Sequence, residues 1–149
     1  MKYGPHKSSL FDLDANIAAL LIYLFSMLIG FINDSLSSIA WIIPLIAFIL
    51  EKESSFVVFH AANALTFYVI KAILYFITVF LSFSTFLTVG MLDSVIARFL
   101  VMGFIFILMA INFAIFVITI ISMIKAYNYQ EIRIPVINKI TNFIINLKR

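Results

Sequence analysis

His60, Asn63, Phe67, Lys71, Tyr75 and Thr78 could act together if they share a helix. At 100° per residue they fall within about 60° of one line. An imidazole, two hydroxyls, an amide and an ammonium on one face have three chemical uses. They can hydrogen-bond neighbouring helices, line a path for a solute or ion, or supply a metal ligand. The metal reading is poorest, because only Glu51, Glu53 and the distant His6 could join His60. Two further polar lines accompany this one. Asn112 carries Thr119 and Arg98 on its face, and Asn16, Tyr23 and Gly30 recur at seven-residue spacing. Interhelical hydrogen bonding, at about 1 kcal/mol per bond, is favoured over a solute path, which ordinarily shows more ionisable groups.

Catalysis finds no constellation to stand on. No Ser, His and acid recur at triad-like spacing, and no paired carboxylates fall inside the apolar runs. No Gly-rich phosphate loop or H-E-x-x-H occurs. With no cysteine, disulfides, thiolate metal sites and Cys nucleophiles are excluded. The chain is expected to be no enzyme and to hold no metal or cofactor. Its basic end is too short and too apolar for a nucleic-acid module, so no nucleic-acid partner is expected.

The elements that must position these residues are set by the solvent. The 149 residues are 64% hydrophobic and 11% charged, with mean hydropathy +1.17. A soluble domain carries about a quarter charged residues, so this surface faces lipid. Residues 95–124 hold one charge, Arg98, and an apolar run of about twenty residues matches the hydrocarbon thickness. Four transmembrane helices are predicted, over about 14–32, 36–50, 56–81 and 95–124. Asp14 is a candidate N-cap for the first, and Ser54 or Ser55 for the third. Asn33, Asp34 and Ser35 supply turn chemistry, Pro44 should kink the short second crossing, and 82–94 reads as a loop. The start, basic but interrupted by Asp12 and Asp14, reads as a retained helix entry, not a signal peptide.

Basic residues orient the crossings. Lys2, Lys7, Lys52, Lys125, Arg133, Lys139, Lys148 and Arg149 lie in the tails or the middle connection, while the connections around Asp34 and Asp93 contain none. By the positive-inside rule both termini, including the 1–13 tail, face the cytoplasm. Beyond Lys125, Pro135 suits a first helical turn, and Val136, Ile137, Ile140, Phe143, Ile144 and Leu147 follow at three- and four-residue steps. That periodicity predicts an amphipathic helix within 125–149, lying flat on the cytoplasmic leaflet, with Lys139, Lys148 and Arg149 toward anionic lipid.

The run from Phe56 through Phe59, His60, Ala61, Ala62, Asn63 and Ala64, preceded by Glu51-Lys52-Glu53, resembles a family signature. It is similar to that of the small four-helix membrane family related to the chloroplast inner-envelope import component (Tic-twenty-like). That family includes the MamF-like magnetosome proteins and many uncharacterised prokaryotic members. Its second element, an Ala ending the last helix and then a turn leading to I/L-P, is matched from Ala126 to Pro135. Leu13 to Leu20 resembles the family's entry into helix 1. Asn63 stands where the family usually has Gln, and Asn128-Tyr129 replaces its usual Gly, so that turn must be made differently. The resemblance implies four helices in a bacterial or archaeal membrane.

The expected fold class is therefore all-α, an integral membrane four-helix bundle with a C-terminal amphipathic interfacial helix. The expected function is non-enzymatic. The protein would act by association with itself, as a homo-oligomer, or with another membrane protein, as a structural or translocation-type component of the bilayer. One rival is a small solute or ion pathway along the His60–Lys71 stripe. Another is a toxin-immunity or accessory membrane protein.

Overall fold

The computed structural model describes residues 2–32, 38–89 and 95–148, without the side chains of 30–32, 85–89, 95–98, 100 and 101. The turns expected at Asp34 and Asp93, the side chain of Arg98, and Arg149 lie outside the described residues. Among the described residues the fold is five helices without a strand, plus two isolated bridges, Lys2 with Gln130 and Lys7 with Asp14. Two helices are long and apolar enough to cross a membrane, through Ser55–Ser84 and Met102–Tyr127. The chain divides into two compact units. Unit 1 takes the residues up to Tyr68 and those from Ile118 onward, and unit 2 is Val69–Val117.

Helix α1, Ala15–Ile32, starts where Asp14 stops. The Asp14 carbonyl accepts from the Ala18 amide at 2.9 Å, as an N-cap carbonyl should, while its carboxylate lies 3.8 Å from the Lys7 ammonium. Helix α2 is Ile42–Leu50, nine residues in place of the expected 36–50. Proline explains the difference. Pro44 lacks the N–H that would bond back to Ala40, so the helix begins with proline in its first turn instead of kinking around it. Nine residues rise about 14 Å, roughly half a hydrocarbon core, so α2 by itself is no crossing. It packs on α1, and the Glu51 carboxylate bonds Ser8 and Ser9 ahead of α1. The chain is thus back at its starting end by residue 51.

Helix α3, Ser55–Val89, runs 35 residues and does not stop at Leu81. Ser82 and Ser84, read as loop formers, instead satisfy themselves on their own helix, as Thr78 does a turn earlier. The hydroxyl of Thr78 donates to the Leu74 carbonyl, Ser82 to Thr78 and Ser84 to Leu81, each at 2.8–2.9 Å. Helix α4, Val95–Tyr127, returns the chain to unit 1, and α5, Pro135–Leu147, begins with the predicted proline.

The core of unit 1 is built from small and aromatic side chains. Ala15, Ala18 and Ala19 of α1, Ala61, Ala62 and Ala64 of α3, and Ala126 of α4 are buried, as are Phe56, Phe59 and Phe67. Alanines let helix backbones approach closely, the packing that membrane helices use without a hydrophobic drive between them. In unit 2 the two helices present large apolar side chains outward. Phe76 is 74% exposed, Phe106 65% and Phe113 67%.

Candidate functional site

Unit 1 buries a polar network at the beginning of α3. His60, Asn63 and Thr66 sit three residues apart on that helix, so one face presents all three. Tyr23 reaches them from α1 and Thr141 from α5. Asn63 Nδ2 donates to the Tyr23 hydroxyl at 2.9 Å, and that hydroxyl lies 3.1 Å from His60 Nδ1. Thr141 Oγ1 lies 2.9 Å from Thr66 Oγ1 and 3.4 Å from Asn63 Oδ1. All of these side chains except Tyr23, at 1%, are 0% exposed.

If Asn63 donates to Tyr23 and Tyr23 donates to His60 Nδ1, the imidazole carries its hydrogen on Nε2. That Nε2 is buried, with the Gln130 backbone as its polar neighbour but no well-formed hydrogen bond. The rings of Phe56 and Phe59 pack edge-on against the imidazole, at 4.5 and 5.4 Å between centroids. Thr141 has one hydroxyl proton for three acceptors, the oxygens of Thr66, Asn63 and Ile137, the last at 3.0 Å. Such an arrangement is suited to holding three helices in register. It offers no exposed acid, base or nucleophile.

A second polar cluster closes the same end of unit 1. The Glu51 carboxylate accepts from the hydroxyls of Ser8 and Ser9 and from the amides of Ser9, Glu53 and Ser54. Burial acts to raise its pKa, but these donors outweigh burial and hold the carboxyl at about 2, well below its ordinary 4.5. Ser54 caps α3, its hydroxyl oxygen accepting from the Val57 amide at 3.2 Å and lying 2.7 Å from His6 Nε2. The Tyr3 hydroxyl donates to Glu131 at 2.6 Å, and burial followed by that carboxylate pushes its pKa up to about 12. The N-terminal segment is in this way strapped across both connections.

The turn after α4 is a Schellman motif made without glycine. The Gln130 amide bonds the Lys125 carbonyl at 2.8 Å, and the Tyr129 amide bonds Ala126 at 3.0 Å. Tyr129 adopts the left-handed φ of 55° that glycine would take freely. Its ring packs 5.7 Å from Phe56 and 6.0 Å from His6.

The residues expected to form sites divide sharply. His60 and Asn63 meet in the network with Phe56, Phe59, Ala61 and Ala126 buried around them. Lys71 and Tyr75 are exposed residues of unit 2, so the line from His60 is not one buried stripe. Asn112, expected to bond a neighbouring helix, instead donates to Leu108 of its own helix at 3.0 Å. Thr119 is half-buried. Pro135 and Lys139 are exposed on α5. Lys148 is not free for lipid, because its ammonium bonds the carbonyls of Phe48 and Glu51 and lies 5.1 Å from the Phe48 ring centroid. A cation there complements the C-terminal dipole of α2. Nor is α5 apolar only toward lipid, since Ile137 and Thr141 are buried in protein.

Sequence reasoning placed Tyr23 on a polar line but did not join it to His60, and it missed Thr66, Thr141 and the buried carboxylate of Glu51. Thr141 left a signal, standing four residues after Ile137 on the apolar face of α5.

Residues 14–144, which contain the whole Tyr23–His60–Asn63–Thr141 network, match the magnetosome magnetite crystal formation protein family. The chain belongs to this family. Two archaeal proteins resemble this magnetosome-family chain, both from Methanocaldococcus jannaschii. UPF0132 membrane protein MJ1527 is 31% identical over 100 residues, which cover 67% of this chain but 58% of that relative's length. UPF0132 membrane protein MJ1443 is 30% identical over 134 residues, 90% of each chain. No solved structure matches. Family and relatives together place the chain among membrane proteins. The family match takes in Glu51 and Ser54 and omits their partners His6, Ser8 and Ser9, as well as Lys148.

Proposed function

We propose that this chain is a non-enzymatic, multi-pass protein of the cytoplasmic membrane that works by associating with itself or with another membrane protein. The observation that carries this reading is the surface of unit 2. Along Val69–Val117, Phe76, Phe80, Phe106, Met109 and Phe113 are all more than 60% exposed, an apolar surface that only lipid or another apolar helix can cover. The polar groups of unit 1 meanwhile bond one another, which suits a scaffold better than a reactive centre. The rings around His60 give no support to a wet path, so the solute-pathway alternative is the weaker one.

The basic residues put both termini in the cytoplasm. The family's description supplies a setting, the formation of magnetosome magnetite crystals, and an assembling membrane protein fits it without catalysis. The motif resemblance to the chloroplast import component extends the proposal to translocation-type complexes.

Because the chain has no cysteine, Phe76→Cys and Phe106→Cys each introduce a single thiol. Oxidation in native membranes should then give disulfide-linked dimers, or adducts to one partner of defined mass, at these positions and not at Lys139→Cys. Monomers throughout, with no adduct at either position, would remove the basis for the association reading.

A further inference from the structure

The connection from α2 to α3, the segment after α4 and one face of α5 line a half-open cavity of about 720 Å³ within unit 1. That lies inside the range of about 300–1,000 Å³ usual for small-ligand sites. Its charges balance, with Glu51, Glu53 and Glu131 opposite Lys52, Arg133 and Lys148. Most are already engaged. Glu51 is held by its serines and amides, Arg133 is paired with Glu131 at 2.8 Å, and Lys148 bonds backbone carbonyls. Lys52 and Glu53, adjacent in the chain and both exposed, form no ion pair among the described residues.

Helix α5 adds Asn138, Asn142 and Asn146 at four-residue steps, a column of amides along the cavity wall. The side chains of Asn142 and Asn146 bond nothing among the described residues, and Asn138 Oδ1 is buried without a partner. The apolar part of the lining is Val58, Phe59 and Ile145. Val58 and Phe59 belong to the first turns of the long apolar helix α3, so the cavity sits where apolar span gives way to charged connection. In a membrane that is the headgroup layer.

We propose that this cavity binds a phosphoethanolamine group, that of a zwitterionic membrane phospholipid. Its free carboxylate and free ammonium fit a ligand carrying one charge of each sign. A primary ammonium offers three N–H donors to Glu53, whereas a quaternary choline offers none. The phosphate then lies by Lys52 and the amide donors of Asn142 and Asn146. A purely anionic headgroup would meet Glu53 with no cation of its own to satisfy it.

Native mass spectrometry of the full chain in detergent, with phosphatidylethanolamine, phosphatidylcholine and phosphatidylglycerol at equal concentration, tests this. Phosphatidylethanolamine should be retained about tenfold over phosphatidylcholine, the scale of one charge-assisted hydrogen bond. Glu53→Gln, an exposed and nearly isosteric change, should abolish that preference, while Lys139→Gln outside the cavity should keep it. Asn142→Ala with Asn146→Ala should weaken both zwitterionic lipids alike. Displacement by soluble glycerophosphoethanolamine at matching concentration would uphold the headgroup chemistry and assign a soluble source. Equal retention of the two zwitterionic lipids overturns the proposal. So does a preference for phosphatidylglycerol, or one for phosphatidylethanolamine that survives Glu53→Gln.

Discussion

Two buried residues carry the chemistry that can be tested one side chain at a time. Glu51 is 0% exposed, and its carboxylate accepts hydrogen bonds from hydroxyl and amide donors. Its pKa falls from the ordinary 4.5 to about 2 on folding, which corresponds to about 3 kcal/mol of stability by linkage. The folded pKa is the depressed one, so this stability is fully present above about pH 4.5 and is lost as pH falls toward 2. Thermal unfolding of detergent-solubilised protein should show that loss across the window, and Glu51→Gln should be less stable at pH 7 with a flatter profile below pH 4.5. A variant as acid-sensitive as the parent would mean that other carboxylates set the slope. Tyr23 tests the second cluster. Its hydroxyl joins Asn63 to His60, so Tyr23→Phe should cost about 1 kcal/mol, the scale of a hydrogen bond between membrane helices. Asn63→Ala in the Tyr23→Phe background should then cost less than in the parent, because the shared bond is already gone. Strict additivity in melting experiments would show that the two residues do not act together.

At the scale of the element, the turn between α4 and α5 stores strain that the helix lengths do not reveal. A non-glycine residue in the left-handed region costs about 1–2 kcal/mol, and Tyr129 accepts that cost because its ring packs on Phe56 and His6. Tyr129→Ala loses the ring and keeps the strain, whereas Tyr129→Gly loses both. The glycine variant should therefore melt higher than the alanine variant, by about 1 kcal/mol in stability, although neither matches the parent. The reverse order would mean that the turn relaxes out of the left-handed conformation once the ring is absent. Helix α5 is governed by the same balance of local preference and packing. Its periodicity alone reads as a surface helix, yet Thr141 and Ile137 are spent on protein, leaving Val136, Phe143 and Leu147 exposed.

For the whole molecule the first question is orientation. The N-terminal segment, the connection at Glu51 and the end of α4 meet in unit 1, where the Tyr3 amide bonds the Tyr129 carbonyl at 2.8 Å and Asn16 Nδ2 bonds Tyr127 at 3.0 Å. Both termini should therefore share one membrane face, the cytoplasmic one if the basic residues decide it. In intact cells, Lys2→Cys and Lys139→Cys should resist a membrane-impermeant maleimide until the membrane is opened. Labelling of either from outside would reverse the assignment. What the sequence determined by itself was the solvent and the long helices. Long, mostly apolar runs near residues 56–81 and 95–124 have no alternative in lipid, where every backbone group must bond within its own segment. The proline start and amphipathic period of α5 were equally legible, because both are local. Tertiary structure decided what those local rules leave open. It shortened the second helix to Ile42–Leu50, carried α3 on through Ser82, turned Lys148 back onto α2 and joined Tyr23 to His60 across 37 residues of chain. Each of these depends on which donor meets which acceptor between segments distant in sequence, and neither periodicity nor composition encodes that pairing.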